Sequence, residues 1–245
     1  MKNILITGAS RGIGRAIAVE FGQREGNLFL NSASGGERLE NVRDEIVQYR
    51  NDTGIEGRVI LCPGDVSEPE TVGRIFDTIG PGGVDILINN AGISHIGLIQ
   101  DMTDGEWRRV IDVNLSSVNY CCRAAIPHML AAGEGRILNI SSVWGNIGAS
   151  CEVAYSAAKG GVNAYTKALA KELAPAGIAV NAIACGCVDT DMNSHFDDNE
   201  RQALYDEIPA GRWAKPQEVA QLAGALCEQS TYLTGQVITF DGGWT

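Results

Sequence analysis

Tyr155 and Lys159 stand four residues apart in Tyr155-Ser156-Ala157-Ala158-Lys159, among strong helix formers, so on a helix they share one face. That spacing has a chemical use. A phenol ordinarily titrates near a pKa of about 10, too high for efficient proton exchange at neutrality, and a cation beside it is expected to draw that value down. Alone, such a pair is more often an ordinary surface contact, so the residues around it decide its meaning.

A second candidate is the turn Thr7-Gly8-Ala9-Ser10-Arg11-Gly12-Ile13-Gly14, which comes after the apolar run Ile4 to Ile6 and precedes a helical pattern, Arg15 to Phe21. Glycines where a strand turns into a helix N-terminus let the oxygens of a dinucleotide pyrophosphate approach backbone N–H groups that a Cβ would hold off. The spacing differs from G-x-G-x-x-G, and a plain turn stays open as the simpler reading. The Lys-Ser/Thr ending of a triphosphate-binding loop is missing, which argues against phosphoryl transfer. After the second apolar run, Asn31-Ser32-Ala33-Ser34 offers no acidic residue to accept from both ribose hydroxyls. Arg11 could instead pair with a 2′-phosphate, with Ser34 as a hydroxyl donor, and this favours NADP(H) over NAD(H). Otherwise Arg11 is a solvated turn residue.

These positions need a scaffold. Short apolar runs at Ile4 to Ile6, Leu28 to Leu30, Val59 to Leu61, Ile86 to Ile88 and Ile137 to Ile140 alternate with helical patterns, the signature of βαβ units in a parallel sheet. Ile178 to Ile183 and Val237 to Phe240 read as two further strands. The fold class is therefore α/β, a doubly wound sheet with helices on both faces and ligand chemistry along the carboxyl ends of its strands. Nothing divides the chain into parts, so residues 1–245 read as one dinucleotide-binding catalytic domain, with an irregular loop from Cys185 to Asn199 opening a substrate segment of about residues 185–215. The run Asp197-Asp198-Asn199-Glu200 predicts a helix start near Asn199, and Pro216 predicts another that runs to Leu226.

Composition narrows the rest. Hydrophobic residues make up 44% of the 245, and 19 basic against 30 acidic residues give a net charge of −11, which disfavours nucleic acid and anionic membrane surfaces as partners. No window approaches about 18 uninterrupted apolar residues, and the N-terminus carries no signal-like segment, so a cytoplasmic setting is expected. The seven cysteines lack framework spacing and read as reduced thiols. Cys185 and Cys187 with His195 lack metal-ligand spacing, so no metal site is expected.

Taken together, the residues resemble the short-chain dehydrogenase/reductase family over the whole chain from Asn3. The likeness rests on Thr7-Gly8-x-x-x-Gly12-x-Gly14, Asp65-Val66 after the third strand, Asn89-Asn90-Ala91-Gly92 after the fourth, Asn114, Ser142, Tyr155-x-x-x-Lys159, Thr234-Gly235-Gln236 and Asp241-Gly242-Gly243. The resemblance implies a seven-stranded Rossmann sheet, usually in a homotetramer. It implies that Ser142 holds a substrate carbonyl, that Tyr155 protonates the developing alkoxide, that Lys159 binds the nicotinamide ribose and lowers the pKa of Tyr155, and that Asn114 supports a water relay. Gly8, Ser10, Arg11, Gly12, Ile13, Gly14, Asp65, Val66, Asn90, Ala91, Gly92, Gly186, Val188 and Thr190 would border the cofactor. Structural roles stay open beside these: Asn114 as a helix cap, Asp65 as a cap for a helix near Ser67-Glu68-Pro69, and Asn89 to Gly92 as a packed turn. The chain departs from the family where Cys185-Gly186 replaces Pro-Gly, which frees φ and would loosen the adjoining loop.

Within the family, Ser10 to Gly14, Asn114-Leu115-Ser116-Ser117-Val118 and Pro209-Ala210-Gly211-Arg212 resemble bacterial 3-oxoacyl-acyl-carrier-protein reductases. Substrate choice would lie with His95, Trp144, Ile147, Cys151, Glu152, Cys187 and Met192 on pocket loops. The basic residues expected to dock an acidic carrier protein are missing at Ala131-Ala132-Gly133-Glu134 and Ala174-Pro175-Ala176. Trp144-Gly145-x-x-Gly148-Ala149-Ser150-Cys151-Glu152-Val153 resembles a bacterial subgroup that reduces a 5-aminopentanone group on elongation factor P, and Glu152 could pair with such an ammonium or simply sit exposed at a helix start. Another small ketone or secondary alcohol is a further alternative. A non-catalytic dinucleotide-binding regulator predicts damage among Asn114, Ser142, Tyr155 and Lys159, and all four are present.

Overall fold

A computed structural model describes residues 1–34, 36–194 and 196–245. In chain order the regular elements are β1 (Asn3–Ile6), α1 (Gly12–Gly22), β2 (Asn27–Ser32), α2 (Gly36–Thr53), β3 (Val59–Pro63), α3 (Pro69–Ile79) and β4 (Ile86–Asn89). They continue with α4 (Asp104–Ile111), α5 (Ser117–Ala132), β5 (Gly135–Ser142), α6 (Trp144–Ile147), α7 (Val153–Leu173), β6 (Ile178–Cys185), α8 (Asp198–Glu207), α9 (Pro216–Glu228) and β7 (Val237–Phe240).

The seven strands are parallel and ordered β3-β2-β1-β4-β5-β6-β7. The inner apolar runs are covered on both faces, those of the edge strands β3 and β7 only in part, and successive residues point to opposite sides. Ile4, Ile6, Leu28 and Leu30 pack under α1, α2 and α9 through Ile17, Leu39 and Val219. Leu5, Phe29, Leu87 and Ile137 pack under α3, α5 and α7 through Ile75, Met129 and Leu169. Strand order reverses between β1 and β4, which opens a crevice at their carboxyl ends.

The helix starts obey the predicted chemistry. In α8, Asp197 accepts from the Glu200 N–H at 2.8 Å while Glu200 accepts from the Asp197 N–H at 2.9 Å. Pro69 and Pro216 enter α3 and α9 in the first turn, where a missing N–H costs nothing. A π-turn, Asp112–Ser116, joins α4 to α5.

Two structural alternatives fall away. Asp65 caps no helix: α3 is entered from Glu68, and the Asp65 carboxylate accepts from the Ser67 N–H and hydroxyl at 2.9 and 2.7 Å while pairing with Arg109 at 2.6 Å. Asn114 caps none either, since it lies inside the π-turn. At the departure from Pro-Gly, Cys185 closes β6. As the last residue of β6 it is buried, its carbonyl accepts from the Val143 N–H at 2.9 Å, and Gly186 N–H donates to the Phe240 carbonyl at 2.9 Å.

Candidate active site

The crevice between β1 and β4 encloses about 470 Å³, within the range of small-molecule sites. Its floor is built by hydrogen bonds between two strand ends. The Thr7 hydroxyl accepts from the Asn90 and Ala91 N–H groups at 3.0 and 3.1 Å, and the Asn90 amide donates to the carbonyls of Thr7 and Gly8 at 3.0 and 3.1 Å. Gly8 and Gly14 have no room for side chains. A Cβ on Gly14 would lie 2.1 Å from the Gly8 carbonyl, and Gly8, at φ +66, would place one 2.9 Å from the Ala91 Cα. This bare backbone at the start of α1 is the cradle a pyrophosphate requires, so the residues fit a dinucleotide.

Gly8, Ser10, Arg11, Gly12, Ile13, Gly14, Ser34, Asn90, Ala91, Gly92, Gly186, Val188 and Thr190 all line the cleft. Ser142, Tyr155 and Lys159 line it too, with Trp144, Glu152, Cys187 and Met192. Asp65, Val66, His95, Ile147 and Cys151 are outside its lining, and His195 lies outside the described residues. Asn114 also stands behind the wall. Fully buried, its amide donates to the carbonyls of Ile93 and Val110 at 2.9 and 2.8 Å and its oxygen accepts from the Ile93 N–H at 3.2 Å. It thereby clamps the turn after β4 to the end of α4. Among the described residues, no group of three or more His, Cys, Asp or Glu is arranged to hold a metal ion, and no helix is long and apolar enough to cross a membrane.

Ser142 ends β5, and Tyr155 and Lys159 lie in the first two turns of α7. Lys159 is buried: its ammonium donates to the Ile140 carbonyl at 2.8 Å and sits 5.6 Å from the centre of the Tyr155 ring. The titration behaviour differs from the expectation drawn from spacing. Burial pushes the Tyr155 phenol up, with Glu152 and Cys185 adding to the rise and a hydrogen bond with Ser142 opposing it. Tyr155 is partly open to the cleft, yet enough protein packs around the phenol for burial to dominate. Burial also lowers Lys159, to about 8. A proton donor held neutral beside a cation that is still charged at neutrality suits delivery of a proton to an oxyanion.

A short chain dehydrogenase profile matches residues 2–201. The chain belongs to the short-chain dehydrogenase family. It is 38% identical to the uncharacterized oxidoreductase YmfI of Bacillus subtilis, over 99% of this chain and 98% of that protein. It is equally 38% identical to the 3-oxoacyl-[acyl-carrier-protein] reductase FabG of Chlamydia pneumoniae, over 100% of this chain and 97% of that one. Among solved structures, a 3-oxoacyl-[acyl-carrier protein] reductase from Brucella melitensis superposes with a TM-score of 0.91 at 34% identity, covering 100% of this chain and 91% of the other. A putative gluconate dehydrogenase from Agrobacterium tumefaciens gives 0.87 at 32% identity, covering 99% and 95%. This short-chain dehydrogenase is thus an oxidoreductase acting on CH–OH and C=O groups.

Sequence reasoning misses Arg38, Phe196, Leu204 and Trp244 among the cleft residues. Arg38 carries a signal, a basic residue four positions past Ser34, but it lies beyond the end of β2, where ribose contacts are expected. Phe196, Leu204 and Trp244 carry none. Trp244 comes back over Trp144, ring centres 5.0 Å apart, only because β7 ends beside β6.

Proposed function

We propose that this short-chain dehydrogenase reduces a ketone to a secondary alcohol with NADP(H), and that the ketone is a 3-oxoacyl thioester. The observation that carries the reading is the convergence of Ser142, Tyr155 and Lys159, from β5 and α7, on one wall of a cleft whose far end is the glycine cradle. When bound, the dihydronicotinamide supplies the hydride. The Ser142 hydroxyl then holds the carbonyl oxygen, and Tyr155 transfers its proton to that oxygen as negative charge develops. The Lys159 ammonium stabilises the phenolate left behind and would meet a hydroxyl of the nicotinamide ribose. Asn114 keeps the wall beside Lys159 in position: a Cβ on Gly92 would stand 2.7 Å from the Asn114 oxygen and 3.6 Å from the Lys159 nitrogen. Reprotonation of Tyr155 through Lys159 and water belongs to this reading.

NADP(H) is favoured by Arg11 and Arg38 with the hydroxyls of Ser32 and Ser34 at the adenosine end, where β2 supplies no carboxylate. The thioester is favoured by the relatives named as 3-oxoacyl-[acyl-carrier-protein] reductases. One dinucleotide-binding domain over residues 1–245, a homotetramer and a cytoplasmic setting are part of the same proposal. The test is absorbance at the nicotinamide band with NADPH and NADH against acetoacetyl thioesters of coenzyme A and of carrier protein. Oxidation of NADPH is expected with native Tyr155 and a loss of about 10²- to 10⁴-fold with Tyr155→Phe; bound cofactor with no turnover of either thioester overturns the substrate assignment.

A second reading has its own observation. The carboxylate of Glu152 lines the cleft with the Trp144 and Trp244 rings, and the Trp244 N–H donates to Glu207 at 3.3 Å. Acidic and aromatic groups together suit a cationic ketone such as an aminopentanone carried on a protein. Loss of activity by Glu152→Gln on an aminoketone, with none on its neutral counterpart, would favour it.

A further inference from the structure

Arg11 belongs to the turn after β1, Arg38 to the first turn of α2, and Asp191 to the short turn 191–193 beyond β6. Three distant parts of the chain meet at one atom: the Asp191 Oδ2 stands 3.7 Å from an Nη1 of each guanidinium. The hydroxyls of Ser10, Ser32 and Ser34 border the same end of the cleft, with Ser32 donating to Ser10 at 3.0 Å. Two guanidinium groups and three hydroxyls form a donor set for a phosphate monoester. The anion lying between the cations is the protein's own carboxylate.

We infer that Asp191 is a built-in competitor for the cofactor's 2′-phosphate, holding Arg11 and Arg38 until the phosphate takes them. The inference rests on the NADP(H) reading above. The contacts are matched to that role. At 3.7 Å they are attractions between charges, longer than hydrogen bonds, and all three side chains are more than half exposed, so each pair is weak. A phosphate monoester near neutrality carries a charge of about −1.5 to −2 and three acceptor oxygens, against one negative charge on a carboxylate, and it displaces the weaker anion. Asp191 therefore lowers affinity for the phosphorylated cofactor without closing the site to it.

The turn that carries Asp191 is held by contacts of its own. Thr190, next to Asp191, lies over the glycine turn, where a Cβ on Gly12 would sit 3.3 Å from the Thr190 methyl. The Asn193 amide donates to the Val188 carbonyl at 2.8 Å, and the Ser194 hydroxyl to the Asp191 carbonyl at 2.8 Å. The Asp191 carboxylate, more than half exposed, can leave the arginines by rotating its own side chain while the turn keeps these hydrogen bonds.

Calorimetric titration of adenosine 2′,5′-bisphosphate and of 5′-AMP into the native protein and Asp191→Asn separates the possibilities without turnover. Asp191→Asn is expected to bind the bisphosphate about three- to tenfold more tightly, with 5′-AMP within about twofold, the latter also reporting that the variant is folded. If the native protein prefers the bisphosphate but Asp191→Asn binds it equally or less tightly, the competitor role is overturned and the cofactor reading stands. If neither protein distinguishes the two nucleotides, the cofactor reading fails and the competitor role fails with it.

Discussion

Lys159 is a costly residue to bury, and its cost can be measured. Its pKa is drawn to about 8 in the folded chain, whereas an unfolded lysine titrates near its ordinary 10.5. Below both values the ammonium is charged in either state, and burying it opposes folding in full. As pH rises past 8 the folded state sheds the proton while the unfolded state keeps it, so stability recovers. Lys159→Met has no such term, and its methyl end leaves the Ile140 carbonyl without its donor at every pH. Chemical denaturation of both proteins should therefore show the native chain gaining about 2 kcal/mol relative to Lys159→Met between about pH 7 and pH 9.5. The thiols remote from Lys159 cancel in the difference, and Cys185 and Tyr155, which neighbour it, stay protonated in both folded proteins over this range because burial pushes each of them up. An unchanged difference would show that Lys159 keeps an ordinary pKa in the fold. The identities of Tyr155 and Lys159, and their shared face, were legible from spacing. The direction in which each titrates was not, because it comes from the groups packed around them, and helical spacing carries no record of burial.

At the scale of elements, the strands were legible because a parallel sheet covered on both faces must be apolar at nearly every position, and all seven runs became strands. The helix starts expected near Asn199 and at Pro216 were legible because capping is local chemistry, the first beginning one residue earlier, at Asp198 behind the Asp197 cap. The π-turn at Asp112–Ser116 and the return of Trp244 over Trp144 depend on tertiary packing and left no local pattern. The capping of α8 offers a prediction. Asp197 and Glu200 satisfy each other's N–H groups at the head of a short, mostly exposed helix whose Leu204 lines the cleft. Removing a capping side chain costs about 1 kcal/mol, and here the loss falls on a helix with no buried residues to hold it. Asp197→Ala should raise KM for the ketone several-fold and leave the dissociation constant of the nicotinamide cofactor unchanged, since the glycine turn and α1 do not depend on that cap. A parallel rise in both constants would instead mean that α8 supports the whole cleft.

The whole molecule carries a net charge of −11, and that charge bears on which form of ketone it meets. An acidic carrier protein approaching an acidic enzyme is steered only if a basic patch overrides the average field. The exposed cations of the cleft are already engaged, Arg11 and Arg38 facing Asp191, and outside the cleft Arg201 pairs with Asp189 and Arg212 with Glu218. The turn before β5 contributes Glu134, and the turn after α7 contributes Ala174, Pro175 and Ala176, so neither adds positive charge. Salt screens repulsion and attraction alike over about 8–10 Å at physiological strength. With NADPH held at saturation, kcat/KM on a carrier-protein thioester should accordingly stay flat or rise as salt goes from roughly 20 to 200 mM, while a neutral short thioester shows no trend. A steep fall for the carrier-protein substrate alone would reveal attraction between opposite charges. The docking patch would then be formed by residues outside these two turns, and the carrier-bound ketone would be the form this cleft was built to receive.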